Sequence, residues 1–191
     1  MSAPDALEYT SPVPTPTVVD VWHWLAEVPD PEIPAISIVD LGIVRAVALH
    51  RMALEADGPA NIACVVTITP TYSGCPAMAA IAQSIEKILQ LHGIAQVRIA
   101  MQLSPAWTTD WISDTGKIRL REYGIAPPAQ QVIDISGISR ASFKSRPAPV
   151  VACPLCGAVN TSCVSQFGST SCKAQYRCLE CMEPFDYFKP H

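Results

Sequence analysis

Two C-x-x-C steps near the carboxyl end limit what this chain can fold into more than any other feature. Cys153 and Cys156 stand in CPLCG, and Cys178 and Cys181 stand in CLEC, with residues 157–177 between the two pairs. Two residues between thiols let a tight turn aim both sulfurs at one point, and two such turns brought together make a tetrahedral thiolate cage. Pro154 and Gly157 are turn-forming residues placed where such a turn needs them. A segment of about forty residues cannot hold itself together by apolar burial alone, so a cage is what lets it fold. The spacing therefore predicts a four-cysteine zinc ribbon over 151–191, with zinc ahead of iron as the ion. Two independent redox dithiols are the competing reading.

The compartment bears on that choice, because the same cysteine pattern means disulfides outside the cell and metal or catalysis inside it. The opening MSAPDALEYTSPVPTPT is proline-rich and acidic, with neither the basic start nor the apolar run of a secretory signal. The longest apolar stretch, around IACVVTITP, is too short for a bilayer and reads as a buried strand. The expectation is a cytoplasmic protein, free of the membrane, whose cysteines are free thiols or metal ligands. Of the six cysteines in the tail, Cys163 lies in an alternating stretch, VNTSCVSQF, and reads as a small apolar filler. Cys172, in GSTSCK, sits at a Gly/Ser-rich turn beside Lys173, where a spare ligand or a redox-active thiol is the alternative to packing.

Charge excludes one class of partner. The chain has 13 Lys and Arg against 17 Asp and Glu, a net charge of -4. From Cys153 onward Lys173, Arg177 and Lys189 are balanced by Glu180, Glu183 and Asp186, so the ribbon carries no electrostatic footprint for nucleic acid. Phe185, Tyr187 and Phe188 put aromatic surface into a small ribbon and suggest a protein-docking face instead.

The length suits one ordinary domain plus a small appendage. Residues 1–17 read as a disordered amino terminus. Thr17 or a neighbour caps a short helix over VVDVWHWLAEV, which Pro29 ends. A proline-punctuated loop, DPEIPAISIVDLG, leads to the strand GIVRAVALH, a turn near Asp57-Gly58-Pro59 and a second strand, NIACVVTIT, in which Cys64 is a core filler. The clearest helix is AMAAIAQSIEKILQLHG, with Met78, Ile81, Ile85, Ile88 and Leu89 in one stripe and Gly93 at its end. IAQVRIAMQL is a third strand, SDTGKIRLREYG a last short helix stopped at Gly124, and IAPPAQQ leaves the domain. The predicted class is α/β (α+β): a small mixed sheet with helices packed on it over 18–127, a linker over 128–150 with one short strand at QVIDIS, and the ribbon.

Two features of the first domain can carry chemistry. Cys75, in SGCPAM, precedes the long helix, where unpaired N–H groups and the helix dipole favour a thiolate and lower its pKa; a packing role is the other reading. Asp30, Glu32 and Asp40 lie in a loop stiffened by Pro29, Pro31 and Pro34, a geometry suited to a metal or a partner, although loop acids are commonly solvated caps. His23, His50 and His92 show no ligand spacing and read as structural or surface residues.

DPEIP with DLGIV, followed by T-x-x-Y-SGCP before a helix, resembles the small α/β proteins of the SufT-like iron-sulfur assembly family. CPLCG, FGSTSCKAQYRCLECMEPFDYFK, PAWTTDWIS and YGIAPP are similar to one branch of that family, which accompanies the phenylacetyl-CoA oxygenase (epoxidase) of aerobic phenylacetate degradation. The resemblance spans roughly residues 20–190. It implies an accessory protein with no catalytic activity of its own, which helps mature an iron-sulfur cluster or iron centre. It also implies the oxygenase subunits as partners, among them an iron-sulfur flavin reductase, and a transient cluster beside the structural zinc. By the same resemblance Cys75 is the signature cysteine, Asp30, Glu32 and Asp40 form the acidic loop, and the ribbon cysteines with Cys172 belong to the branch motif. A non-catalytic structural or regulatory subunit, needing only the ribbon's zinc, is the alternative.

Overall fold

The computed structural model of the chain describes residues 15–52, 61–128 and 149–190. The expectations for the amino-terminal segment before residue 15, for the Asp57-Gly58-Pro59 turn and for the strand at QVIDIS lie outside these residues. Helix α1, Val18–Ala26, begins with a full capping box: the Thr17 hydroxyl accepts from the Asp20 N–H while the Asp20 carboxylate accepts from the Thr17 N–H. Its Val21 and Leu25 are buried and Val18 faces solvent. Strands β1 (Val44–Met52), β2 (Asn61–Ile68) and β3 (Gln96–Met101) form one sheet in that order, with β1 and β2 antiparallel and β2 and β3 parallel. Helix α2, Met78–Leu91, supplies the crossover that a parallel pair requires. Cys64, Val66 and Ile68 alternate inward from β2 and meet Ile81, Ile85 and Leu89 of α2 and Val21 and Leu25 of α1 in one core. Burial pushes the Cys64 thiol up to about 11, as suits an inert filler. Among the described residues, no helix is long and apolar enough to cross a membrane.

The loop between α1 and β1 is fixed against helix α3, Asp114–Glu122, by Gly42 and Gly116. Gly42 has φ +73°, and a Cβ there would stand 2.6 Å from the Trp111 carbonyl oxygen and 2.7 Å from the Trp111 Cβ. Gly42→Ala combines a left-handed backbone with a backbone clash. We expect a loss of about 2–4 kcal/mol, read as a fall of about 5–15 °C in Tm by circular dichroism. An unchanged Tm would show that this approach is not tight.

Three strands build the ribbon: β5 (Thr161–Ser165), β6 (Lys173–Cys178) and β7 (Pro184–Phe188), antiparallel in sequence order. The sequence has IAPPAQQ simply leaving the first domain. In the structure Ile125–Ala126 instead forms β4, immediately after α3, and pairs in parallel with β7 at the edge of the ribbon sheet. Two residues hold too little pattern to announce a strand.

The two parts are also packed together. Cys172 and Phe188 of the ribbon are members of the main core, and the rings of Phe188 and Trp107 are 5.9 Å apart. The expected docking face is therefore corrected: Phe185, Tyr187 and Phe188 are 6%, 2% and 0% exposed. Phe188 is covered by the first domain, whereas Phe185 and Tyr187 pack on Tyr176 within the ribbon's own small core. The exposed apolar residues beside the C-x-x-C turns are Leu155, Leu179 and Met182.

Candidate functional site

The four ribbon cysteines converge. The sulfurs of Cys153, Cys156, Cys178 and Cys181 all lie within 4.8 Å of one another, and among the described residues this is the group arranged to hold an ion. Cys153 Sγ is 3.8 Å from Cys181 Sγ, and Cys156 Sγ is 3.6 Å from Cys178 Sγ. A tetrahedron of thiolates about 2.3 Å from zinc has S···S edges of about 3.8 Å, so the donor set and its spacing fit that ion.

The two turns that aim the sulfurs are built alike. The Cys153 N–H donates to the Ala158 carbonyl at 2.9 Å and the Cys178 N–H to that of Glu183 at 3.0 Å. The residue after each second cysteine is left-handed, Gly157 at φ +78° and Met182 at φ +64°. The Cys181 N–H also points at Cys178 Sγ, at 3.5 Å. That donor, with the Glu180 N–H, holds the Cys178 thiol down at about 7.

A second group forms where the ribbon meets the first domain. The Asp30 carboxylate is buried and accepts from the Glu32 and Ile33 N–H groups at 2.9 and 2.8 Å, which fixes the DPEIP loop. Glu32 is thereby presented to the ribbon, where the Cys172 thiol donates to Glu32 Oε2 at 3.9 Å. Cys172 is only 4% exposed and also contacts the Thr170 hydroxyl at 3.0 Å. Cys75, half-buried, hydrogen-bonds Tyr72, and Tyr72 reaches across to Ser171 of the ribbon. Lys173 is buried against this group, with its ammonium 3.4 Å from Asp186.

Electrostatics within the group run one way. Burial, then the neighbouring Asp30 charge, raises the Glu32 pKa, and burial raises that of Asp30 despite its two N–H donors. Burial followed by Glu32 lifts Cys172 as well, although Thr170 offsets part of that rise.

The expected low pKa of Cys75 is corrected. Helix α2 starts at Met78 with Ala77 as its cap, so Cys75 stands before the helix rather than at its end. The Ala77 N–H does reach the sulfur, but burial first, and then the Glu32 and Asp30 carboxylates, push the thiol above its ordinary 9.0. Since only the thiolate alkylates, iodoacetamide should label Cys75 slowly at neutral pH, and the rate should climb as pH rises through and beyond the ordinary thiol range. Mass-spectrometric labelling rates across pH check this, and an inflexion below that range would overturn the assignment.

Asp40 is drawn elsewhere. Its carboxylate accepts from Ser113 Oγ and Arg119 Nη1, both at 2.7 Å, which ties the loop to α3 rather than to the thiols. Tyr72, Ser171 and Lys173 were not among the expected site residues. Tyr72 stands in the T-x-x-Y-SGCP stretch, which is the signal that points to it; nothing in the sequence says that Ser171 would meet it. A cavity of about 340 Å³ lies beside Tyr72, lined also by Thr69, Thr71, Leu103 and Trp107. The Thr69 hydroxyl is buried in its wall without a hydrogen-bond partner.

Comparison with known proteins agrees with this division of the chain. Residues 19–101 match the family described as iron-sulfur cluster assembly protein, and residues 138–189 match the PaaD zinc beta ribbon domain. A 1,2-phenylacetyl-CoA epoxidase subunit of Escherichia coli K12 is 44% identical, over 91% of this chain and 93% of that protein. An Fe-S protein maturation auxiliary factor of Porphyromonas gingivalis is 30% identical, over 54% of this chain and 90% of that protein. A crystal structure of a domain of unknown function from Bacillus anthracis is 28% identical, covering 54% of this chain and 90% of that one, with a TM-score of 0.44.

Proposed function

This chain belongs to the PaaD family, and from that premise we propose that it is an accessory protein of a phenylacetyl-CoA epoxidase system that helps mature an iron-sulfur or iron centre. It performs no turnover of its own and works in the cytoplasm with the oxygenase subunits, the iron-sulfur flavin reductase among them. The observation that carries this reading is the meeting of Cys75 with Glu32, Asp30 and Tyr72 on the assembly-type domain, apart from the four-cysteine cage. Soft thiol and hard carboxylate donors together suit a ferrous ion or a cluster in transit, whereas four thiols at closed spacing suit a resident zinc. Zinc in the ribbon supplies cross-linking and no open position for chemistry.

The second reading is a structural subunit, favoured by the way Phe188 and Cys172 enter the main core. Producing the oxygenase subunits with and without this chain, and measuring their iron, sulfide and turnover, separates the two. An accessory role predicts subunits that assemble but lack metal when the chain is missing. Fully loaded subunits that fail to assemble would leave only the structural role.

A further inference from the structure

We propose that Cys172 and Glu32 complete a second metal-binding site with Cys75, assembled across the ribbon and the first domain, whose ligand is a single ferrous ion held as cargo. The proposal rests on the accessory role above and names which residues take the ion.

Cys172 belongs to the ribbon and Glu32 to the DPEIP loop, and nothing but the docking of the two parts places Cys172 Sγ 3.9 Å from Glu32 Oε2. Cys75 and Cys172 approach from opposite sides. Both lie within electrostatic reach of Glu32, of Asp30 and of Tyr72. Two soft sulfurs and one hard carboxylate form a mixed donor set, which suits Fe(II) better than a four-thiolate cage does. Tyr72 and Asp30 are placed to orient donors, since Tyr72 hydrogen-bonds Cys75 and two backbone N–H groups pin Asp30.

The charge balance points the same way. Glu32, Asp30, Cys75, Cys172 and Tyr72 all resist ionisation in this place. The one buried cation facing them, Lys173, is shared with Asp186. A divalent ion reverses that, because it offsets the desolvation and mutual repulsion that hold protons on these groups. Binding exchanges the thiol protons for the metal without a change of oxidation state.

Openness distinguishes this group from the ribbon cage. The cage sulfurs already stand at single-ion spacing. Closing the second site requires the Cys75 side chain to swing towards the Cys172 and Glu32 pair. A donor set that must move to close binds less tightly than a preformed one, which is what release to a client needs.

The test uses the full chain with zinc in the ribbon, titrated anaerobically with Co(II) as a coloured stand-in for Fe(II). Zinc outcompetes cobalt at the four-thiolate cage, so the added ion reports the second site. The expected result is a saturable thiolate-to-cobalt charge-transfer band. Cys172→Ser or Glu32→Gln should weaken its midpoint by more than about tenfold, the scale on which even outer-shell partners of a ligand act. Ribbon zinc content and Tm serve as folding controls, and Glu32→Gln decides the matter if Cys172→Ser does not fold. No band in the wild-type chain overturns the proposal. So does a band that needs Cys75 but neither Cys172 nor Glu32, and that result leaves the accessory role standing. The accessory role itself fails only on the oxygenase's metal content, which is measured separately.

Discussion

Cys153→Ser and Cys178→Ser are each expected to empty the ribbon of metal and to unfold residues 149–190. Apparent binding free energies of structural zinc in small ribbons and fingers are about 10–16 kcal/mol, comparable to or larger than the whole stability of an ordinary domain. A serine hydroxyl at a cage corner cannot replace a thiolate at neutral pH, and three sulfurs with one open position bind far less tightly. From the sequence alone the first domain should be indifferent to this loss. The structure says otherwise. Phe188 and Cys172 are core members, Phe188 packs on Trp107, and β7 holds β4 at the end of α3. Withdrawing a buried Phe alone costs about 3–5 kcal/mol. The first domain should therefore stay folded but melt roughly ten degrees lower. Elemental analysis reads the metal, and tryptophan fluorescence, through Trp107, reads the withdrawal of the ribbon. Full metal content in both variants would sink the cage assignment. An unchanged melting point of the first domain would show that the contact between the two parts contributes little.

Elements with a strong local pattern were legible in the sequence. The stripe Met78, Ile81, Ile85 and Leu89, the Thr17 cap, the alternating strands and the C-x-x-C turns each carry their signal within a few residues. What the sequence hid depends on contacts between distant segments. Asp30, Glu32 and Asp40 look like one acidic loop. Asp30 and Glu32 face the ribbon, while Asp40 is claimed by Ser113 and Arg119 of the α3 region, and no spacing rule foretells that division. The aromatic run PFDYF reads as surface because a ribbon that small has nowhere to bury it. It is buried because a second part of the chain covers one side of it. Cys75 shows the same limit. Its place before a helix suggests a depressed pKa, and its burial beside two carboxylates reverses the sign.

Cys75→Ser is the substitution on which function turns. Serine keeps what the structure asks of position 75 locally: an acceptor for the Ala77 N–H and a hydrogen-bond partner for Tyr72. The site is half-buried, and oxygen is smaller than sulfur, so the cost to stability should stay within about 1 kcal/mol, with ribbon zinc unchanged. The metal chemistry should not survive. A serine hydroxyl holds its proton at every pH the protein tolerates and is a poor partner for Fe(II), so the variant keeps the fold and loses the soft ligand. An oxygenase made beside this variant should contain as little iron and sulfide, and turn over as slowly, as one made with no accessory chain. Because the Cys75 thiol is raised, the wild-type chain should load iron more readily as pH rises, as fewer protons compete for the sulfur, and the serine variant should lose that dependence. Normal metal content and turnover beside Cys75→Ser would rule out this thiol as the working group. The chain would then act through its ribbon and its packing alone, as a subunit that holds the oxygenase together.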